Sequence, residues 1–495
     1  MQKSLFSMEE VAGIVSGRIQ NVGSAPGVFP DVCGASIDTR TLRPGDLFVA
    51  LGGETSDGHR FLADAAKSGA AAALVLPDYK ARCDSLPEGL PLVVVDDPLG
   101  ALWSLARRNR LNNSHVKVIG VTGSNGKTTV KEMTASILVE WAGRDSVVKN
   151  MKSFNNHIGV PLTLMELNKD HRFCVAEIGM NAPGEILELA GLARPDVGII
   201  TSLGEAHLEG VGTIAGVAEA KAELFRQMAS DKKAVLPEVN EDLMKILMNA
   251  TAHLKDDAKI VFGRSENARA KLLEVRFMSD TSLFCRIALD EKEIQLRLPL
   301  PGLHNALNGA AAAAAAFALS VDFESIQDGL EKMTVPEHRS SVIRLAGAVV
   351  LDDCYNANPA SMTAGLETLS ALAGKERSAV ILGDMLELGE SSELRHRELG
   401  VEVASRNPDL AVFVGERMKL AAAGAKEAGM EPGRIHVFSD AAEAGEFAAK
   451  NIGEGWRVLV KGSRRVALEK ALDAWAETAR KAKTDVDSVS PGRAR

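Results

Sequence analysis

The sequence has nothing that reads as a route into or across a membrane. No apolar run among its 495 residues approaches the ~18–20 that a span requires; the longest candidate, Gly309 to Leu319, is short and mostly alanine. Glu9 and Glu10 stand where a secretory leader would need its apolar stretch. Cysteine is sparse as well. The five, at 33, 83, 174, 285 and 354, are odd in number and lack CxxC spacing, so neither a disulfide framework nor a zinc site follows. Cys174 and Cys285 sit in apolar runs and read as small core residues. A reducing, cytoplasmic setting is the expectation. Positive charge is in deficit, with 57 Lys and Arg against 66 Asp and Glu and a net charge of −9. That balance argues against a nucleic-acid partner, which needs a basic surface, but leaves room for a local phosphate site. There is no internal repeat.

What is present is ordinary globular material: 46% hydrophobic and 25% charged residues. At ~150 residues per domain the length suggests about three domains. Ser7-Met8-Glu9-Glu10 has the capping-box pattern of a helix start. Strands are expected at 46–51, 71–76 and 92–95, with helices at 60–68 and from Pro98 to about Arg110. The polar run Asn112-Asn113-Ser114 reads as an exit linker. A second unit opens with the apolar strand Val116 to Val121, and strands then alternate with helices through 173–176, 197–201, 233–236 and 259–262. That alternation implies a mostly parallel sheet covered on both faces. Between Lys271 and Leu300 the period changes to two, which marks an antiparallel patch. A third α/β unit follows Pro336, doubly wound, with strands near 348–352, 379–382, 411–414, 435–438 and 457–460. The expected division is 1–111, 112–334 and 335–481, with 482–495 as a frayed tail.

The strongest chemical signal is Gly120-Val121-Thr122-Gly123-Ser124-Asn125-Gly126-Lys127-Thr128-Thr129, between an apolar strand and a helix-forming stretch. Its glycines let backbone N–H groups turn towards phosphate oxygens. Lys127 is placed to offset β/γ-phosphate charge, and the Thr128 hydroxyl to hold Mg²⁺. Val121 stands where the literal GxxxxGK[ST] pattern has its first glycine. Glu177 ends the next apolar run, so its carboxylate is aimed into the crevice at the strand ends and is a candidate ligand for the same ion. His207 follows the strand after that, and a metal role there is about as plausible as a plain loop histidine. Lys221, flanked by Glu219 and Glu223 on a helix, reads from its chemistry as a surface lysine. Asp352 and Asp353 end the first strand of the third unit. They suit metal or proton chemistry, or equally a solvated turn.

Several of these spacings coincide in one family. Thr122 to Thr129 resembles the ATP loop of the Mur ligases. So, in family order, do Ala176-Glu177-Ile178-Gly179-Met180-Asn181, Gly204-Glu205-Ala206-His207, Ala220-Lys221-Ala222-Glu223-Leu224, Gly302 to Asn308, His338-Arg339 and Asp353 to Asn358. Phe154 to Pro161, Tyr355 to Met362 and Gly383 to Gly389 resemble the member that adds a terminal dipeptide. No Asp-Asn-Pro-Arg motif, the mark of the ligase for the third amino acid, is found. Two departures are Ser124 in place of the commoner Thr, and His157 where an acidic residue is expected.

The resemblance implies an ATP-dependent amide ligase of peptidoglycan precursor synthesis. It would join D-alanyl-D-alanine to UDP-N-acetylmuramoyl-tripeptide through an acyl phosphate, as a monomer, with ATP and two Mg²⁺ ions. Gly123, Ser124, Asn125, Gly126, Lys127, Thr128 and Thr129 would hold the phosphates, and Asn305 and Asn308 the adenine side. Thr128 and Glu177 would bind one ion. His207 and Lys221, the latter carbamylated, would bind the second. Arg339 and Asp353 would reach the nucleotide when the third unit closes through a hinge near 334–337. Ser36, Asp38, Thr39 and Arg40 would bind the UDP end, with Asn155, Asn156, Tyr355, Asn356 and Asn358 as further substrate residues. Two rivals are a folylpolyglutamate synthetase, against which residues 1–110 argue, and an ATP-driven switch that needs no acyl acceptor.

Overall fold

The fold is that of a computed structural model, which describes residues 3–20, 29–53, 56–85, 89–151, 153–205 and 208–488. It contains three sheets in succession along the chain. The first comprises β1 (Arg18–Gln20), β2 (Gly34–Ser36), β3 (Asp46–Val49), β4 (Ala72–Val75) and β5 (Leu92–Val94), in the order β1-β5-β4-β3-β2. Only β1 runs antiparallel to its neighbour. The helix Met8–Val15 starts with the expected capping box on Ser7 and Glu10.

The second sheet holds β6 (Lys117–Thr122), β7 (Val147–Lys149), β8 (Phe173–Glu177), β9 (Val197–Ile200), β10 (Lys233–Pro237), β11 (Lys259–Gly263), β12 (Ala270–Ser279), β13 (Ser282–Leu289) and β14 (Lys292–Leu298). Its order is β14-β13-β12-β11-β10-β9-β6-β8-β7. β6 lies between β8 and β9, so the strand order reverses there and opens a crevice beyond the carboxyl ends of the strands. Central β6 is buried along all but its first residue, as a strand covered on both faces must be. The antiparallel β14 alternates buried and exposed, which is the period-two signature of a sheet wet on one face. The alanine-rich helix Leu303–Ala318 packs into the core between this sheet and the helix Lys127–Ala142, its small side chains permitting close approach.

The third sheet holds β15 (Ser341–Leu345), β16 (Ala348–Asp353), β17 (Ser378–Gly383), β18 (Leu410–Val414), β19 (Ile435–Phe438) and β20 (Arg457–Lys461), ordered β15-β16-β20-β17-β18-β19. All neighbours are parallel except β15 with β16. Among the described residues, no helix is long and apolar enough to cross a membrane.

Some local expectations differ from the structure. β1, β2 and β7 have three residues each, too few to show a period. The helix expected at 60–68 is a 3₁₀ turn, Gly58–Phe61, running into a short helix, Leu62–Lys67. The polar run at 112–114 joins the first and second units, but part of it is helical. The helix Pro98–Asn112 continues into it, and Asn113 is buried, its amide donating to the Asn109 carbonyl at 2.9 Å. Asn109 in turn donates to the carbonyls of Leu164 and Leu167 at 2.8 and 2.9 Å, and Arg110 to that of Ala193 at 2.9 Å. These polar side chains satisfy backbone groups of the second unit and fix the joint. The last helix, Glu469–Ser488, runs past residue 482, where a frayed tail is expected; no Gly or Pro interrupts it before Pro491.

Candidate active site

The phosphate-binding loop leaves β6 at the point where the strand order reverses and enters the helix Lys127–Ala142. Two glycines shape it. A Cβ on Gly123 would lie 2.0 Å from the Thr201 hydroxyl, and one on Gly126 would lie 2.4 Å from the Asn308 amide oxygen. Both have positive φ, 148° and 82°, which a side chain would strain. The neighbouring strand end stitches the loop in place. Ser124 Oγ donates to Gly204 O at 2.9 Å, and Thr201 Oγ1 donates to Asn125 O at 2.5 Å. Ser202 Oγ accepts from Asn125 N at 2.9 Å. Lys127 Nζ folds back onto the Gly123 carbonyl at 2.8 Å. Burial pushes its pKa down, against the pull of Glu177.

Glu177 ends β8 and is 1% exposed. Its Oε2 accepts from Thr128 Oγ1 at 2.8 Å and its Oε1 from Asn155 Nδ2 at 2.8 Å. Lys131, fully buried, lies 3.8 Å from Oε2 and donates to Asn150 O at 3.1 Å. The Asn150 side chain accepts from Glu177 N at 2.5 Å. The site thus presents a hydroxyl and a carboxylate side by side, with the supporting residues holding the carboxylate from behind.

The third unit closes the crevice. Arg339 donates to Ser153 Oγ at 3.1 Å, and Ser153 lies 3.3 Å from Thr128 Oγ1. The Arg339 guanidinium stacks over Tyr355, 4.0 Å from the ring centre. Asp353 accepts from Lys461 Nζ at 2.5 Å and from Ser340 N at 2.9 Å. Lys461 ends β20 and is 2% exposed, so this pair is a deep one. Asn125 and Asn358 exchange amide hydrogen bonds of 3.3 and 2.8 Å across the units, and Arg395 pairs with Glu205 at 2.5 Å. Together they enclose a cavity of 440 Å³ lined by the loop from Ser124 to Thr129, Glu177, Asn305, Asn308, Arg339 and Asp353.

Most of the sequence-named residues therefore meet. Gly123 is buried and does not itself line the cavity, whereas Asn155, Asn156, Tyr355 and Asn356 do. Asn156 also accepts from Ile158 N and Gly159 N, so its side chain shapes the start of the helix Gly159–Met165. Asn358 is occupied by Asn125 and by the cap of the helix Pro359–Ala373. His157 lies outside the cavity, stacked on Trp103 and 3.3 Å from Glu188. Lys221 is 1% exposed, contrary to the surface lysine its chemistry suggests. Burial and the nearby charge of Lys127 hold its pKa well below the ordinary amine value. Its neighbour Glu223 instead accepts from the N–H groups of Gly184 and Leu187, at the start of the helix Glu185–Ala193. His207 lies outside the described residues.

Ser36, Asp38, Thr39 and Arg40 are not among the residues lining the cavity. The Arg40 side chain is 87% exposed and pairs with Asp38 at 2.6 Å. Sequence reasoning missed Lys131, Asn150, Ser153, His304 and Lys461 as parts of the site. Burial pushes the His304 pKa down to about 4, so this cavity imidazole is neutral at pH 7.

Fold and site together define a nucleotide-binding α/β protein of the phosphate-loop class, with its cavity closed by a further Rossmann-like unit. Family models described as Mur ligase family, catalytic domain, Mur ligase middle domain, and Mur ligase, glutamate ligase domain match residues 31–108, 121–316 and 338–464. The chain is 32% identical over 467 residues to the UDP-N-acetylmuramoyl-tripeptide–D-alanyl-D-alanine ligase of Bacillus subtilis, covering 94% of this chain and 97% of that protein. It is similar to the Acinetobacter baumannii MurF crystal structure, with a TM-score of 0.81, 30% identity and coverage of 95% and 99% of the two chains. It is also similar to MurF ligase from Thermotoga maritima in complex with ADP, with a TM-score of 0.74, 26% identity and coverage of 91% and 98%. The chain belongs to the Mur ligase family.

Proposed function

We infer that this chain is the ATP-dependent ligase that joins D-alanyl-D-alanine to UDP-N-acetylmuramoyl-tripeptide, releasing ADP and phosphate. The reading is carried by one arrangement: the loop from Ser124 to Thr129, Glu177 and the third unit's Arg339, Asp353 and Lys461 surround a single cavity, in a chain similar end to end to enzymes named for that reaction. The enzyme works as a monomer in the cytoplasm. One chain completes the cavity.

The chemistry follows from what a carboxylate lacks. Oxide is a poor leaving group, so the tripeptide's terminal carboxylate oxygen first attacks the γ-phosphorus of ATP, and ADP leaves. The dipeptide amine then attacks the acyl carbon, the C–N bond forms, phosphate departs with the C–O electron pair, and the proton lost from nitrogen goes to the departing phosphate or to solvent. Both steps bring anions or electron pairs together, so cations placed in advance lower the barrier. Lys127 supplies one charge at the loop, and Arg339 another from the opposite wall. Lys461 holds Asp353 and thereby the geometry of that wall. The helix Lys127–Ala142 points its N-terminus at the same place.

The residues present fit a magnesium ion. Thr128 Oγ1 and Glu177 Oε2 are hard oxygen donors 2.8 Å apart, the donor type that Mg²⁺ prefers. The ion would be held by these two side chains and would polarise the transferred phosphoryl group. A second would be held by Lys221 as its carbamate together with His207. The buried, neutral-leaning Lys221 amine supports that reading, because only an uncharged amine takes up carbon dioxide.

The test is phosphate release across a matrix of nucleotide-peptides and dipeptides. Turnover that needs both UDP-N-acetylmuramoyl-tripeptide and D-alanyl-D-alanine supports the reading. ATP hydrolysis indifferent to the dipeptide would favour an ATP-driven switch.

A further inference from the structure

Behind the cavity wall, three side chains that the ligase chemistry does not use converge. His338 Nδ1 lies 2.8 Å from Asp352 Oδ2, and Cys354 Sγ lies 3.5 Å from the same nitrogen. One donor atom from each falls within 4.8 Å of the other two. We propose that His338, Asp352 and Cys354 form a separate metal site, one for a borderline-soft divalent cation of the zinc class rather than for magnesium.

The spacing fits such an ion. With Zn–N near 2.0 Å and Zn–S near 2.3 Å, a tetrahedral angle puts N and S about 3.5 Å apart. The observed separation is 3.5 Å. Nitrogen and oxygen would sit about 3.4 Å apart on the same ion, so the imidazole and the carboxylate need part by only about half an ångström. His338 can give that distance, because its side chain is 32% exposed while Asp352 and Cys354 are buried. The partly open imidazole also provides the entry path. A thiolate with an imidazole selects zinc over magnesium, which prefers oxygen alone.

The electrostatics agree. Burial most of all, and then Asp352, Glu469 and Asp353, push the Cys354 thiol upwards. The same negative field that disfavours a bare thiolate favours a divalent cation, which would take the thiolate as ligand while the proton leaves to solvent. Glu469 Oε2 is buried with no hydrogen-bond partner, leaving a further oxygen in the neighbourhood. His338 adopts a positive φ of 59°, unusual for a side-chain-bearing residue, so the backbone is bent to deliver this imidazole.

Each ligand is the chain neighbour of a cavity residue: His338 of Arg339, Asp352 of Asp353, Cys354 of Tyr355. An ion that parts His338 from Asp352 would therefore displace Arg339 and Asp353, and loading should slow ligation. The binding claim stands apart from the assigned reaction, since it is read without substrates.

The experiment titrates the full chain with Co²⁺ in excess Mg²⁺ and follows near-ultraviolet absorption. A thiolate-to-cobalt charge-transfer band saturating at one ion per chain, displaced by Zn²⁺, is expected. It should vanish in Cys354→Ser and weaken at least tenfold in affinity in His338→Gln, both checked for folding by circular dichroism. No band in the wild-type chain, or a band that persists in Cys354→Ser, would overturn the site. So would unchanged affinity in His338→Gln, which replaces a partly exposed side chain and does not depend on how Cys354→Ser folds. If Zn²⁺ slowed wild type and Cys354→Ser alike, the link to turnover would fail.

Discussion

The cavity proposed for the nucleotide and the Ser36–Arg40 strip, which the family resemblance alone offers for the UDP end, are built in opposite ways. In the cavity every charged group is held before any ligand arrives. Glu177 is fixed by Thr128 and Asn155 and backed by Lys131, and Asp353 by Lys461 and Ser340. On the strip, Arg40 is exposed and spends its guanidinium on Asp38 two residues away. That hydrogen bond is the main force holding the Asp38 carboxyl below its ordinary pKa. A buried charge must be satisfied by the fold, because water cannot do it. An exposed one can be satisfied locally and exchanged for a ligand at little cost. The contrast teaches where catalysis and where mere binding should be sensitive to substitution.

The largest effect is expected at Lys127. Lys127→Ala should lower kcat by about a thousandfold, since one preorganised charge near a developing anion is worth that order. Circular dichroism should show an intact fold. Turnover within tenfold of wild type would remove Lys127 from the chemistry and collapse the contrast.

Lys461→Met comes next. It leaves the largely buried Asp353 carboxylate without its cation, and breaking such a pair costs about 3 kcal/mol. Kinetics should show at least a hundredfold loss, and denaturant titration a lower midpoint. Adding Asp353→Leu should recover stability but not turnover. Recovery of both would make the pair a fold element only.

Lys221→Ala should lose most activity and regain part of it in excess formate or acetate, small carboxylates standing in for the carbamate. Assays with and without the anion decide it. Full activity without any anion would return Lys221 to a packing role.

How much of this was legible in the sequence depends on how local the cause is. The loop announces itself because strand, glycines and Lys127 are contiguous. Glu177 is visible because a carboxylate ends an apolar run. Lys461 carries no such mark: its partner Asp353 is 108 residues away, and only the sheet order β16-β20 brings them together. Lys131 reads as one more helix lysine until β8 places Glu177 beside it. Lys221 misleads for a related reason. Flanking glutamates suggest a wet face, but Glu223 caps another helix and the face is buried.

Arg40→Ala sharpens the other side of the comparison. KM for the nucleotide-peptide should rise severalfold, with kcat and KM for D-alanyl-D-alanine nearly unchanged, the signature of uniform binding lost. Steady-state kinetics with each substrate varied in turn would show it. A fall in kcat alone would mean that the strip, like the cavity, acts in the transition state.

The smallest effect concerns stability rather than rate, and it isolates what burial does inside the cavity. His304 lies 3.3 Å from Ser340 and has its pKa pushed down to about 4 by desolvation. The unfolded chain takes up a proton at this histidine near pH 6.5, whereas the folded chain resists until about pH 4. Between those values the unfolded state binds more protons, so the histidine contributes a loss of stability as pH falls and none above pH 7. His304→Asn removes the titration while keeping a polar side chain. The difference in unfolding free energy between wild type and variant should therefore be constant above pH 7 and drift in favour of the variant from pH 6.5 downwards. Urea titrations at pH 7.5, 6.0 and 5.0 measure it. A difference that does not change with pH would mean that the cavity hydrates this imidazole as freely as the surface strip hydrates Arg40.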